Sequence, residues 1–471
     1  MNFSFIETMT CDSNSPCPAL YECIQSVCTH KSPFPPTERE IFGSFLLVFL
    51  LGMANVGGMG GAFIASPILM TIFNFDPIPA IRITYCMIFC GAIGNFITVS
   101  RTRRPNSQKP AIDYDVAILC IPVLVSGASI GVIANSFLPP VISLSFLTLL
   151  CLHGFYKFWK KAIAQYRLEN TQKDIQRSLL SSPDEKVTDD IRSSISTTTS
   201  TIEDQEKEII NAETKALHAS LGIQSLNVES APKPPNYPLF PLNRYLQIIV
   251  LLLIVVAFLL LRGSKTLPSI IGVEFCGGSY WMIYFLAMAV CFIFSFFAQY
   301  RLKREKEDPA ERSKAETQEF DVRKHPLRLS MIAFRAGILG GFAGVGGGLI
   351  LNPVFLDMGM AGPVTTATTN FFVLFTAFIS VAQTAIGGAL PLTNGVYFGS
   401  LSFVGAMVIA SVLKYIVKKY NRTSLVLFLL CFVTLTGAIL VSVHSGYRMI
   451  TGEDSKMMSM GRLLKHGFTA Y

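Results

Sequence analysis

GFAGVGGGLILNP, residues 341–353, is the stretch on which the architecture of this 471-residue chain turns. It lies in an apolar block, 329–358, that is too long and too rich in glycine to be one plain membrane helix of about 20 residues. Consecutive glycines break a helix and let other backbone approach closely, so the residues after Gly348 start a second, shorter helix near the middle of a bilayer. The motif is no phosphate-binding P-loop, because no Gly-Lys-Ser/Thr follows it and no soluble strand leads into it. A second copy stands in the block 41–73. Gly58, Gly60, Gly61 and Pro67 recur at an offset of 286 as Gly344, Gly346, Gly347 and Pro353, and Pro77 recurs as Pro363. The chain contains a duplicated unit.

The remaining sequence supplies the bilayer in which such a break makes sense. Hydrophobic residues make up 51% of the chain and charged residues 15%, proportions rare in soluble domains. Apolar blocks near 80–99, 116–136, 139–156, 245–261, 280–298, 364–386, 395–413 and 424–443 each reach the length of a transmembrane helix. The predicted fold is an all-α polytopic membrane protein. A first repeat (41–158) and a second (329–445) each hold a broken glycine-rich segment plus three full spans, with two linking helices between them (243–300). Outside the spans lie a Cys-rich segment (1–40), a polar linker (159–242), a charged loop (301–328) and a C-terminal tail (446–471). The linker is Ser/Thr-rich from Ser178 to Thr201 and Pro-rich from Ala231 to Pro241. With too little apolar content to pack, it reads as a disordered cytoplasmic tether, with helix running on to about Asn170 and another over Ile202 to Leu221. The net charge of +8 sits mainly in loops beside the spans, where it sets topology rather than recruiting nucleic acid.

Loop charge orients the chain. The loop bearing Arg101, Arg103, Arg104 and Lys109, the stretch from Lys157, and 301–324 are basic and belong in the cytoplasm. Lys414 to Arg422 is also basic, whereas Gly387 to Asn394 carries no charge. A single crossing by 329–358 puts that basic loop outside; a re-entrant hairpin puts it inside. The same choice for 41–73 keeps the N-terminal tail outside. Charge thus favours two hairpins entering from opposite sides, an inverted-repeat construction typical of secondary transporters, with tips meeting near the membrane centre. The sequon Asn421-Arg422-Thr423 then faces the cytoplasm and stays unglycosylated.

Four cysteines, Cys11, Cys17, Cys23 and Cys28, precede the first block with five, five and four residues between them. That spacing is wrong for zinc and suits two disulfides in an oxidising compartment, with three pairings open and the N-terminus extracellular or lumenal. Met1 to Thr10 has no signal-peptide pattern, so either the tail is translocated without one or the true start lies upstream. No metal or cofactor is expected.

A half-helix that starts inside the membrane offers free N–H groups and a positive dipole end, which attract an anion. Gly58, Gly60 and Gly61 of the first tip and Gly344, Gly346, Gly347, Gly348 and Asn352 of the second are the binding candidates; glycine as a helix-packing surface is the competing reading. The helix after the second hairpin carries Thr366, Thr369, Asn370, Thr376, Ser380 and Gln383 within an arc of about 140°. Thr84, Gly91, Gly94, Asn95 and Thr98 form a like face in the first repeat. Neutral hydroxyls and amides can donate to an anion without holding it by countercharge, or can serve as glue between helices. Thr84, Asn95, Thr369 and Asn370 join the candidates. No Asp or Glu lies deep in a span, since Asp76, Asp113, Asp115, Glu274 and Asp357 all flank them, which argues against proton coupling through a buried carboxylate. His153, inside an apolar block, is either a relay or a structural histidine. Arg335 and Arg82 either recruit an anion or snorkel to headgroups.

These residues carry a resemblance. The glycine motif with its Asn352-Pro353 or Ser66-Pro67 exit, and the run IDYDVAILCIPVLVSGASIGVIAN (Ile112 to Asn135), resemble the sulfite exporter TauE/SafE family in its plant- and protist-like branch. The likeness extends from Phe42 to about Ser445, and the segment Cys28-Thr29-His30-Lys31 leading to Phe34 looks like the extracellular preamble of protist members. It implies a membrane transporter of sulfite, sulfoacetate or related organosulfur anions, outward in several members, with no enzymatic activity, in the plasma membrane or an endomembrane. The partners are a small anion and the lipid bilayer. One departure is Tyr85, before Cys86 and Met87, where plant-like members tend to have lysine. The rivals are an anion-conducting channel and a non-transporting scaffold or receptor of the same fold. An enzyme is the least favoured, because the spans offer no nucleophile, metal cluster or acid–base pair.

Overall fold

The computed structural model describes residues 20–24, 27–31, 33–75, 77–104, 109–136, 140–181, 241–263, 268–274, 277–307, 326–343, 347–386, 390–420, 422 and 424–451. Among them are one β-hairpin, β1 (Tyr21–Ile24) with β2 (Val27–His30), and twelve helices. The first repeat comprises α1 (Glu38–Val56), α2 (Ala62–Thr71), α3 (Pro77–Val99), α4 (Tyr114–Ser136) and α5 (Pro140–Ser181). The linking pair is α6 (Leu242–Arg262) and α7 (Gly278–Glu307). The second repeat comprises α8 (Pro326–Ala343), α9 (Gly348–Asp357), α10 (Gly362–Ile386), α11 (Leu392–Tyr420) and α12 (Ser424–Thr451).

Both apolar blocks break at their glycines. The half-helices α2 and α9 are ten residues each, start at the same offset of 286 that relates the motifs, and each contain the matched proline, Pro67 or Pro353. Ten residues rise about 15 Å, half a bilayer core. The α2 segment turns back along α1: Arg39 donates to the Thr71 carbonyl and Gly43 lies against Ile72 and Phe73, while at the far end Gly61 abuts Leu51 and Ala54. The β-hairpin caps this mouth, with Tyr21 donating to Asn74 O at 3.0 Å and the His30 ring stacked on Phe75 at 3.8 Å.

The second block does the same beside different helices. The α8 helix runs along α4, Gly337 against Leu124 O and Gly341 against Ala128 O, and ends with Phe342 beside Gly131 and Phe146. The chain then returns along α5, Leu349 beside Gly154 and Asp357 paired with Lys157. From the first mouth α3 leads away antiparallel to α10, which leads from the second: Phe89 meets Phe378 and Phe96 meets Phe371, each pair at 5.6 Å. The two mouths therefore lie on opposite faces of the bundle.

Each hairpin is covered by the other repeat. Gly405 of α11 sits against Val48 O of α1, and Gly127 of α4 against Phe334 O of α8; Val48 and Phe334 are again 286 apart. Gly437 of α12 receives the Phe63 ring of α2. Glycine is required at 127 and 405 because backbone meets backbone there, and at 437 because the ring fills the space of a side chain.

Eight described helices, α1, α3, α4, α6, α7, α10, α11 and α12, are long and apolar enough to cross a membrane. The α1 helix joins them on length although its chain returns through α2, and the expected span 139–156 is the first part of α5. Burial ranks them: 78% of the best α10 window is buried but 17% of that of α6. The α6 helix buries only Ile248, Leu251, Val255 and Leu259, one stripe at helical spacing, and exposes Leu246, Ile249, Val250 and Leu253. An outer face as apolar as the inner one is what lipid selects.

The α5 helix overruns the expected end near Asn170 and continues to Ser181. The overrun packs on the start of α12: Tyr166 on Phe428 at 6.2 Å, Arg422 bonded to Asn170 at 2.8 Å, and the buried Glu169 carboxylate accepting from Ser424 N at 2.8 Å and Ser424 Oγ at 2.6 Å. A carboxylate at a helix N-terminus is doubly favoured, by orphan N–H groups and by the dipole. Glu169→Ala is expected to lower stability by about 1–3 kcal/mol, read as a fall in Tm of the purified protein.

Cys11, Cys17, the helix expected over Ile202–Leu221, and Asn421 and Thr423 of the sequon lie outside the described residues. Cys23 and Cys28 stand opposite one another in the β1–β2 register.

Candidate functional site

The site forms where the hairpin tips meet. Gly58, Gly60 and Gly61 have φ of +75°, +76° and +74°, a left-handed run that only glycine adopts without penalty. It turns the chain out of α1, whose last carbonyls then lack the regular donors four residues on, although Gly58 N–H reaches Asn55 O at 3.0 Å. Side chains from three other helices supply them: Asn95 of α3 donates to Asn55 O at 2.8 Å, Asn370 of α10 to Val56 O at 3.2 Å, and Asn352 of α9 to Gly57 O. Asn55 itself donates to Ser402 Oγ of α11 at 3.4 Å.

These bonds fix the amide orientations. A backbone carbonyl only accepts, so the atom facing it must be Nδ2. The Oδ1 atoms of Asn95, Asn352 and Asn370 therefore point elsewhere, and all three are buried with no hydrogen-bond partner, as are Asn55 Oδ1, whose amide faces the Ser402 hydroxyl, and Thr84 Oγ1. These five residues are at most 3% exposed. Thr84 and Asn370 occupy equivalent positions, again 286 apart.

The tips touch directly. A side chain at Gly348 would collide with Gly58 O, and one at Gly58 with Thr369 Oγ1; Gly347 packs on Leu124. Neither α2 nor α9 has a side-chain cap at its N-terminus, so each presents free N–H groups and its positive dipole end in the interior. The tips are not identical: Gly347 has φ −74° where its counterpart Gly61 has +74°. Gly344 and Gly346 lie outside the described residues.

The polar face of α10 differs from expectation. Thr366, Thr369, Thr376 and Ser380 donate their hydroxyls to carbonyls one turn back in their own helix, and the Asn370 amide is used on Val56. In an apolar interior the nearest unoccupied lone pair is on the helix itself, so the stripe presents acceptors rather than donors. Thr368, fully buried and absent from the sequence reading, accepts from Asp113 N–H at 3.0 Å. Asn55 was also missed, though an asparagine two residues before a glycine run at a helix end was a legible signal.

The acidic residues Asp113 and Asp115 stand at the start of α4, whereas Arg335 lies in the middle of α8. Asp113 pairs with Arg104 at 3.1 Å and accepts from the amides of Asp115 and Val116, and Asp115 pairs with Arg244 at 3.1 Å. Arg335 is exposed and Arg82 half-buried. His153 is exposed on the outer surface of α5, so it is neither a core histidine nor placed to relay protons through the centre; the period of α5 turns it outward. Among the described residues no cluster of metal ligands forms.

Duplicated broken helices that bury their N-termini at the middle of a membrane bundle define a secondary-transporter construction. The sulfite exporter TauE/SafE family model matches residues 42–187 and 241–438, well over half of the chain, and the protein belongs to that family. Sulfite exporter TauE/SafE family protein 1 of Arabidopsis thaliana is 25% identical over 412 residues, covering 87% of this chain and 84% of the relative. Family protein 3 of the same plant is 26% identical over 433 residues, covering 89% and 82%. No solved structure matches the chain.

Proposed function

We propose that this protein is a secondary transporter of small sulfur oxyanions, sulfite or an organosulfonate such as sulfoacetate, and that its two repeats are inverted about the membrane plane with the anion held between the hairpin tips. The observation that carries the reading is the pair of uncapped N-termini, α2 and α9, with none of the buried carboxylates of the described residues, Glu40, Asp113 and Glu169, lying at the tips. Backbone N–H groups bind an oxyanion without a fixed countercharge, so that it can leave again. The unpartnered amide oxygens add a demand: what enters must also bring hydrogen-bond donors or positive charge. A protonated oxyanion such as hydrogen sulfite, or a cation travelling with the anion, meets it. The names of the relatives support outward movement.

The test is flux of radiolabelled sulfite in vesicles containing the purified chain. Saturable uptake with counterflow is expected, reduced to background by Gly347→Leu, whose side chain runs into Leu124, and retained by Gly446→Leu, which has nothing within 4 Å. Conductive, non-saturating flux would favour the channel. No flux for any of a panel of sulfur anions would leave a scaffold.

A further inference from the structure

A second cluster of unmet polar groups lies away from the tips. Between α4, α6, α7 and α10 the bundle leaves a half-open cavity of about 40 Å3, space for about three water molecules or one compact oxyanion. Its walls are mostly apolar, and the polar groups that line it are Ser126 and Ser129 of α4, Arg262 of α6, Tyr284 of α7 and Gln383 of α10; no Asp or Glu lines it. The Arg262 guanidinium lies over the rings of Tyr280 and Tyr284, 4.8 and 5.4 Å from their centroids. Ring faces attract the charge but accept no conventional hydrogen bond. Arg262 Nε and the Tyr284 hydroxyl are buried without hydrogen-bond partners, and Ser126 Oγ has only the weak thiol of Cys291 beside it.

Buried polar groups are almost always satisfied, and guanidinium is always charged. This pocket holds one permanent positive charge, several donors and no anionic acceptor, the reverse of the acceptor-rich centre. We infer that the cavity is a binding site for a small oxyanion, sulfonate-, sulfite- or phosphate-like, with Arg262 supplying the charge and Tyr284 and Ser126 the orienting donors. Arg262 ends α6, Tyr284 stands in the second turn of α7, and Gln383 is three residues from the end of α10, so the site lies toward the face that carries the β-hairpin. Gln383 also continues the polar stripe of Asn370, about 20 Å away along the helix. The site thus deepens the transport reading by giving the anion a station between the tips and that face, while the binding itself stands without it.

The chain reports on this site by itself. Of its two tryptophans, Trp281 lies 5.9 Å from the Tyr284 ring, so Trp159→Phe leaves a single local reporter. The full chain, purified in neutral detergent, is titrated with sodium sulfite, methanesulfonate and inorganic phosphate against chloride at equal ionic strength. A saturable change in Trp281 fluorescence is expected, weakened by on the order of tenfold or more in Arg262→Gln and several-fold in the near-isosteric Tyr284→Phe, which guards against a folding defect. Titrations unchanged in both variants, or no saturable response to any oxyanion, would overturn the site. Saturation only by short-chain phosphatidylglycerol, not phosphatidylcholine, with the same Arg262 dependence, supports the site and identifies the oxyanion as a lipid phosphate. Titration without flux sinks the transport reading alone; flux without titration sinks this one alone.

Discussion

Gly58→Ala is expected to stop transport altogether in a protein that still inserts and purifies. At φ +75° the added methyl meets Thr369 Oγ1, Thr366 O at 3.0 Å and Asn352 Nδ2 at 3.3 Å. The left-handed backbone costs an ordinary residue about 1–2 kcal/mol, and displacing two side chains that hold the tip adds a similar amount. Gly359 separates the two contributions: it has φ +87° with nothing within 4 Å, so Gly359→Ala bears only the backbone penalty. Thermal unfolding and sulfite flux are measured for both. Equal losses of stability and flux would mean that the tip contact is not what glycine protects at position 58.

Gly131→Leu should be more damaging still and should fail as folding rather than as transport. In the α4–α8 seam a side chain at Gly131 runs into Ile338 O and into Phe342 N at 2.5 Å, and one at Gly341 into Ala128 O. A clashing side chain can rotate away, but a clashing backbone cannot, so the helices must part toward the ordinary separation of about 8–10 Å. Phe342 moves with α8, and the second hairpin with it. A loss above about 4 kcal/mol is expected, seen as little or no monodisperse protein, while Gly446→Leu behaves as wild type. Recovery of Gly131→Leu with an unchanged Tm would show that the seam is loose.

Much of this fold could be read in the chain because its signals are covalent or additive. Two glycine runs at a fixed offset mark the breaks, and the ten-residue half-helices begin at that same offset. Apolar length marks the spans. The site was half legible for the same reason: Gly58, Gly61, Gly348, Asn352, Thr369 and Asn370 converge on the tips. What escaped depends on partners distant in sequence. Whether Thr369 donates to a ligand or to its own helix depends on competing acceptors nearby, and polarity alone does not record that competition. His153 looks buried because its neighbours in sequence are apolar, yet in a bilayer the outer surface is apolar too. Arg262 sits at the edge of its span, where an arginine is ordinarily topological; only its position over two tyrosines beside a cavity sets it apart.

The mutual covering of the hairpins has a consequence for biosynthesis. The α1–α2 hairpin is buried by α11, which begins at Leu392, roughly 320 residues after Thr71, and at about 5–20 residues per second the ribosome takes some tens of seconds to supply it. Through that interval the nascent hairpin carries an uncapped helix end and the amide of Asn55 with no Ser402 to receive it. Each half of the molecule is in effect the last folding factor of the other.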